Sequence, residues 1–317
     1  MNPLYFALVM LASLSAGHSA PVQTATDTPV AKRVSLRNVS LPYVEQGDGI
    51  PVIFVHGEIS DLRAWEPQRR AVVPGYRFIA YTQRYFSGGS EPGRGAPYSV
   101  ETHVADLRAF IAHLDAGPVY LVGDSYGGAV AIRAALQDPD HVRGVFVNEP
   151  FIDLAVAGAD LRNILEKEQR GLGGAQQAAV AGNAEAAVRL LSDWSNQRTG
   201  GFHELPLERR TMHLDNSRSA LQHLSAPRSR PLGCAELRRF EPPLSITVGE
   251  RTRPIFRVLT GELHQCVSGS ELIQLSGAGH LVPSQHPTLF NRELVSFLSK
   301  YGSEKKNPGE DPRPGRR

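Results

Sequence analysis

The sequence predicts an α/β fold: a mostly parallel central sheet flanked by helices, with a block of helices inserted after the sixth strand. Short, continuous apolar runs recur along the chain, each followed by a loop and then a helical pattern. Strands that are apolar throughout are buried on both faces, and connections through helices make neighbouring strands parallel. The rhythm stops once, from about residue 151 to 232, where the patterning is helical only, and resumes at 244. A length of 317 residues suits one large core with an insertion better than two equal domains.

Taken in order, residues 4–12 are apolar and run into Ser13, Ser15, Ala16, Gly17, Ser19 and Ala20. This is the pattern of a signal peptide over 1–20, so an exported protein is expected, periplasmic or secreted. The run is shorter than the roughly 20 residues that span a bilayer, so no membrane span is expected. A polar leader over 21–32 precedes the core, which is assigned to 33–150 and 242–302. Strand patterns over 34–39 and 40–45, before the turn Gly47-Asp48-Gly49, suggest two antiparallel edge strands. The apolar run 51–55 ends in His56-Gly57 and leads to a helix over 62–72; a second strand over 76–81 ends in a polar loop, 82–97. The helix over 100–114 carries Val104, Leu107, Phe110, Ile111 and Leu114 on one face. It leads into a strand over 119–122, then an alanine-rich helix over 127–137 that Asp138-Pro139 stops, then a strand over 142–147. The insertion, 151–241, reads as a helical lid, clearest over 161–170, 176–194 and 207–224. A strand over 244–248, a helix over 255–264, a strand over 272–275 and a helix over 288–300 complete the core. The charged, Pro- and Gly-rich stretch 303–317 reads as a disordered tail.

A formal net charge of +2, tail included, gives no concentrated basic face and argues against nucleic acid as a partner. No Cys/His metal cluster or dinucleotide fingerprint appears, so neither metal nor cofactor is expected. Cys234 and Cys266 are the two cysteines, and a single bridge or two separate buried thiols both fit.

The chemistry centres on Gly123-Asp124-Ser125-Tyr126-Gly127 at the end of a strand. A serine hydroxyl is a poor nucleophile unless a sharp strand-to-helix turn presents it to a base, with backbone N–H groups aimed at the site of attack. Gly123 and Gly127 leave room where a side chain would strike the neighbouring strand or helix. Ser125 is therefore the candidate nucleophile. Among eleven histidines, His280 stands in a glycine-framed loop after a late strand, where catalytic groups of a parallel sheet converge, and is the candidate base. His56, directly before Gly57, reads as a structural hydrogen-bonding residue. The remaining histidines read as solvated or packing.

His56-Gly57 after a strand, Gly123-Asp124-Ser125-Tyr126-Gly127-Gly128, the helical insertion, and Gly277-Ala278-Gly279-His280-Leu281-Val282-Pro283 follow one another in this order. With them the chain resembles the α/β-hydrolase superfamily, in its lid-bearing, lipase/esterase-like branch, over about residues 34–300. The resemblance implies a Ser-acid-His triad that forms an acyl-enzyme, and an oxyanion hole from the backbone N–H groups of Glu58 and Tyr126. The Glu58 side chain is expected to point away from the hole, toward Arg63 or solvent, as a surface charge. In the family the acid commonly follows the strand after the lid, in a Gly-x-x-Asp pattern. Here Gly249-Glu250-Arg251-Thr252 puts threonine at that place, and Thr252 cannot balance an imidazolium. A variant position, the end of the strand after the nucleophile helix, carries Glu149. Glu149 is assigned as the acid and Glu250 stays as the alternative. Thr82, where relatives often carry Asp, is read as structural.

The reading is a serine hydrolase acting on a small, mostly apolar carboxylic ester or related acyl substrate. One alternative keeps the residues and cleaves a carbon–carbon bond beside a carbonyl, or forms peracids; fold does not separate these. Another is a silent ligand-binding homologue, motivated by Thr252 and Glu58. Arg162, Arg170, Arg189, Arg209 and Arg210 in the insertion read as a solvated basic face rather than an anion site. The sequence carries no signal for an oligomeric state.

Overall fold

The computed structural model describes residues 29, 31–36, 38–89 and 96–302. The expected signal peptide, the leader up to residue 28 and the tail over 303–317 lie outside the described residues. In chain order the core runs β1 (Lys32–Leu36), β2 (Val39–Gln46), β3 (Pro51–Val55), α1 (Glu66–Val72), β4 (Arg77–Tyr81), α2 (Val100–Leu114), β5 (Val119–Asp124), α3 (Tyr126–Gln137) and β6 (Val142–Asn148). The insertion supplies α4 (Ala159–Arg170), α5 (Gly173–Val180), α6 (Ala184–Asn196), α7 (Leu207–Asp215), α8 (Ser217–Ser225) and α9 (Cys234–Leu237). The core resumes with β7 (Leu244–Gly249), α10 (Pro254–Cys266), β8 (Glu271–Leu275), α11 (Val282–Gln285) and α12 (Pro287–Gly302).

The sheet order is β1-β2-β4-β3-β5-β6-β7-β8, with β1–β2 and β2–β4 antiparallel and the other pairs parallel. Only β1 is an edge among the first two strands, because β2 is hydrogen-bonded on its other side to β4. Lys32, which sequence reasoning leaves in the leader, already pairs with Tyr43 in β1. Side chains alternate across the pleat, so β3 feeds both layers. Ile53 and Val55 join the cluster under α2 and α3, while Val52 and Phe54 join Trp65, Phe290 and Phe297 on the opposite face. Among the described residues, no helix is long and apolar enough to cross a membrane.

Three expected helices are shorter than their sequence patterns. Residues 62–72 begin as a 3-10 turn, Leu62–Trp65, capped by the Asp61 carboxylate, before α1 starts with a proline in its first turn. The pattern over 176–194 breaks at Gly182 (φ +72°), after which Asn183 caps α6. The pattern over 207–224 breaks at Asn216, whose amide donates to Met212 O at 2.8 Å and to Asp61 at 2.8 Å. A side chain that competes for backbone partners is a common helix breaker.

The insertion is seated on α10. Leu191 and Trp194 pack with Phe256 and Leu259, Arg253 donates to Glu168 at 2.6 Å, and its guanidinium lies 4.7 Å from the Trp194 ring centre. Cys234 and Cys266 form a disulfide with Cα atoms 4.9 Å apart, tying α9 to α10. Of the two readings the sequence allows, the structure has the bridge.

Candidate active site

Parallel register brings the candidate residues together. Gly123 in β5 lies opposite Val55 in β3 and Val147 in β6, and Asp124 opposite Asn148. The residues that follow these strands therefore emerge side by side at one edge of the sheet. Ser125 sits between β5 and α3 with φ +50° and ψ −115°, a region a non-glycine residue occupies only when its surroundings impose it. Its N–H donates to Asn148 O at 2.9 Å, and its carbonyl accepts from the N–H groups of Gly128 and Phe151, both at 3.0 Å. A Cβ on Gly127 would stand 2.1 Å from Val55 O, and one on Gly123 2.6 Å from the Gly128 Cα. Both glycines are thus required by close approach, as the sequence argument expects.

His280 is buried, and its Nδ1 lies 2.6 Å from Glu149 Oε2. A carboxylate only accepts, so Nδ1 carries the proton and Nε2 keeps its lone pair. The Phe256 ring stacks on the imidazole, with centres 3.9 Å apart and planes 13° apart. Asn148 Nδ2 donates to His280 O at 3.0 Å and to Asp124 Oδ1 at 2.8 Å, so one amide fixes the histidine loop against the serine loop. Burial lowers the His280 pKa, but the hydrogen bond and charge of Glu149, helped by Asp124, outweigh it and leave the imidazole above the ordinary histidine value.

Glu149 is fully buried with a left-handed backbone, φ +39°. Its Oε1 accepts from Gly249 N–H at 2.7 Å, and its Oε2 accepts from the Thr252 hydroxyl at 2.6 Å as well as from His280. Glu250 is exposed and accepts from Gly277 N–H at 2.7 Å, away from the imidazole. Thr252 cannot carry charge, and in the structure its hydroxyl instead donates to the Glu149 carboxylate. Thr252→Val is expected to lower stability by about 2 kcal/mol, since it removes a buried bond to a charged group; a shift of the urea midpoint at constant slope is the measurement.

Gly57, Glu58, Ser125, Tyr126 and His280 line one cavity, roofed by Leu172, Leu191 and Trp194 from the insertion. Tyr126 is the first residue of α3, so its N–H has no helical partner and is available to the cavity. The expected direction of the Glu58 side chain is corrected. It turns neither to Arg63, which pairs with Asp61 and Asp215, nor to solvent. Glu58 Oε2 instead accepts from Tyr98 OH at 2.6 Å and lies 3.3 Å from His223 Nδ1, with 9% of the side chain exposed. Tyr98 thus replaces the water at Oε2, while Oε1 is buried without a hydrogen-bond partner among the described residues.

His56 is structural, as expected. Nδ1 lies 2.9 Å from Gly57 O, Nε2 accepts from Gln83 N–H at 3.0 Å, and burial pushes its pKa down to about 4. Two histidines read as solvated or packing, His213 and His223, line the cavity. Arg209 also lines it, which corrects the solvated reading for that arginine; Arg162 and Arg170 are exposed. No periodicity in the insertion marks these three residues, because how its helices dock is not a local property. Among the described residues, no group of three or more His, Cys, Asp or Glu could hold a metal ion.

The family model for the alpha/beta hydrolase fold matches residues 50–232. The chain is similar to an epoxide hydrolase of Caballeronia sordidicola, 32% identical over 121 residues, which are 38% of this chain and 37% of that protein. It is similar over a greater length to the 2-(acetamidomethylene)succinate hydrolase of Mesorhizobium japonicum, 23% identical over 286 residues, which are 86% of this chain and 97% of that one. In architecture it resembles the crystal structure of a bromoperoxidase from Bacillus anthracis, with a TM-score of 0.71 at 22% identity, covering 86% of this chain and all of that one.

Proposed function

The chain belongs to the α/β-hydrolase fold family, and from that premise we propose that it is a serine hydrolase cleaving a small, mostly apolar carboxylic ester or related acyl compound through an acyl-enzyme. The observation that carries this reading is the 2.6 Å contact between His280 Nδ1 and Glu149 Oε2, beside a strained Ser125 in the same cavity. Ser125 Oγ attacks the acyl carbon while His280 Nε2 takes the hydroxyl proton. The carbonyl oxygen becomes an oxyanion that accepts from the N–H groups of Glu58 and Tyr126; each such donor lowers the barrier by about 3 kcal/mol. Collapse of this intermediate breaks the ester C–O bond, and the leaving alkoxide takes the proton from His280. Water then attacks the acyl-enzyme with His280 again as base, releasing the acid and restoring the serine. Glu149 holds the imidazole in the tautomer both halves need.

The Glu58 carboxylate would oppose the oxyanion if it faced the hole, and its engagement by Tyr98 and His223 supports catalysis over a silent binding role. The same holds for Thr252, which serves Glu149 rather than leaving a gap in the triad. The helical insertion acts as the lid, with Leu172, Leu191 and Trp194 against the acyl chain. Export is supported by the short apolar run with small residues at the start of the chain and by the Cys234–Cys266 bridge, which persists in oxidising compartments.

A fluorophosphonate probe tests the reaction class. The folded protein at neutral pH is expected to take up one adduct per chain, on the peptide carrying Ser125, and to hydrolyse 4-nitrophenyl esters fastest at short to medium acyl length. Folded protein that neither reacts nor hydrolyses any member of the panel overturns the reading.

A further inference from the structure

Helix α7 turns two side chains into the cavity that acyl transfer does not use. Arg209 lines the same cavity as Gly57, Asp124, Ser125 and His280, and none of the described residues forms a hydrogen bond to its guanidinium. The two carboxylates whose charge it feels, Asp124 and Asp61, have other partners. Asp61 accepts from Arg63 and Asn216, and Asp124 from Asn148. Burial lowers the Arg209 pKa and those charges raise it back in part, so the group remains a cation with its donors unspent.

His213 lies one helical turn further on the same face of α7 and lines the same cavity. It is 4% exposed, and its Nδ1 is buried without a hydrogen-bond partner. Unpaired buried polar atoms are rare in folded proteins, and His213 is a polar side chain of the cavity wall whose hydrogen-bonding capacity the protein leaves unused. Burial, reinforced by the Arg209 charge, pushes its pKa down to about 3 against the pull of Asp61. The ring is therefore neutral, and one of its nitrogens donates without adding a second cation.

We propose that Arg209 and His213 form an anion site, and that the acyl substrate carries a carboxylate which they bind at the end of the cavity under α7. A guanidinium fork matches the two oxygens of a carboxylate, and a neutral imidazole N–H adds a third donor. The apolar part of the cavity wall, from Leu172, Leu191, Trp194 and Phe256, takes the hydrocarbon part of the molecule. A neutral analogue leaves the half-buried cation unpaired, so selection is by the missing partner as well as by the bond made. The inference rests on the acyl-transfer reading of Ser125 and names the substrate class within it: an ester of an ω-carboxylated acid.

The test compares 4-nitrophenyl hemisuccinate with 4-nitrophenyl pentanoate. The wild-type protein is expected to favour the anionic ester in kcat/KM by at least about tenfold, and Arg209→Met to lower that ratio by about 30-fold, mainly through KM for the anionic ester. Arg209→Lys, which keeps the charge and loses the fork, is the second variant and should retain part of the ratio. A wild-type ratio near one, or a ratio that Arg209→Met leaves unchanged, overturns the anion site. Calorimetric titration with succinate needs no turnover and separates the two readings. Loss of succinate binding in Arg209→Met, alongside a wild-type protein that hydrolyses neither ester, keeps the anion site and removes acyl transfer. Equal affinity in the two proteins, or no binding to either, removes the anion site alone.

Discussion

Ser125→Ala is expected to lower kcat/KM for 4-nitrophenyl esters by about 10⁵-fold and to abolish fluorophosphonate labelling. The expected effect is large because in the proposed acyl transfer the hydroxyl oxygen is the atom that bonds to the acyl group, and alanine has no group to take its place at the turn. Residual activity should remain above the uncatalysed rate, since the N–H groups of Glu58 and Tyr126 still receive a developing oxyanion when water attacks directly. The fold should survive. The bonds that pin the elbow, from Ser125 N–H to Asn148 O and from Gly128 and Phe151 to Ser125 O, are all backbone bonds that alanine keeps. Alanine at φ +50° is also no more strained than serine there. A urea midpoint close to wild type, with turnover gone, is the expected pair of measurements. Retained labelling at another residue would mean that the nucleophile lies elsewhere.

What the sequence makes legible here is what local geometry enforces. The β5–α3 elbow is readable because Gly127 leaves no space for a Cβ against Val55 O, and no other residue fits. The strands are readable because burial on both faces leaves them apolar throughout, as in Pro51–Val55. For the candidate acid the sequence leaves two residues, Glu149 and Glu250, since both stand at strand ends. Choosing between them depends on where the chain after β7 turns, and Gly249 N–H and the Thr252 hydroxyl both turn toward Glu149. The cavity walls are a different matter. Glu58, His223, His213 and Arg209 meet through the docking of α7 and α8 over the sheet, and Asn216 breaks the helical pattern by reaching Asp61, a residue 155 positions away. Such contacts have no signature at the spacing of a turn, so charge patterning alone read Arg209 as solvated and Glu58 as a surface group.

Glu149→Gln is expected to lower kcat by about 10³-fold and to move the acid limb of the pH profile downward. Three donors converge on this carboxylate: Gly249 N–H, the Thr252 hydroxyl and His280 Nδ1–H. A glutamine has one acceptor oxygen and an amide nitrogen that only donates, so it cannot serve all three. If the amide oxygen stays with Gly249, the nitrogen faces His280, whose Nδ1 must then accept. That puts the ring proton on Nε2, where the base needs a lone pair. The pH dependence follows from the same contact. The base works only when neutral, so kcat/KM rises with pH through the His280 pKa, which in the wild-type protein lies above the ordinary histidine value because Glu149 outweighs burial. In the glutamine variant burial acts against Asp124 alone, and the rise should occur at lower pH. A merely structural defect would lower kcat without moving the limb, and so would loss of enzyme through unfolding. Glu250→Gln is the matched control: its carboxylate accepts from Gly277 N–H at an exposed site, and neither the rate nor the limb should change by more than a few-fold. A limb that moves with Glu250 and not with Glu149 would return the acid to the loop after β7.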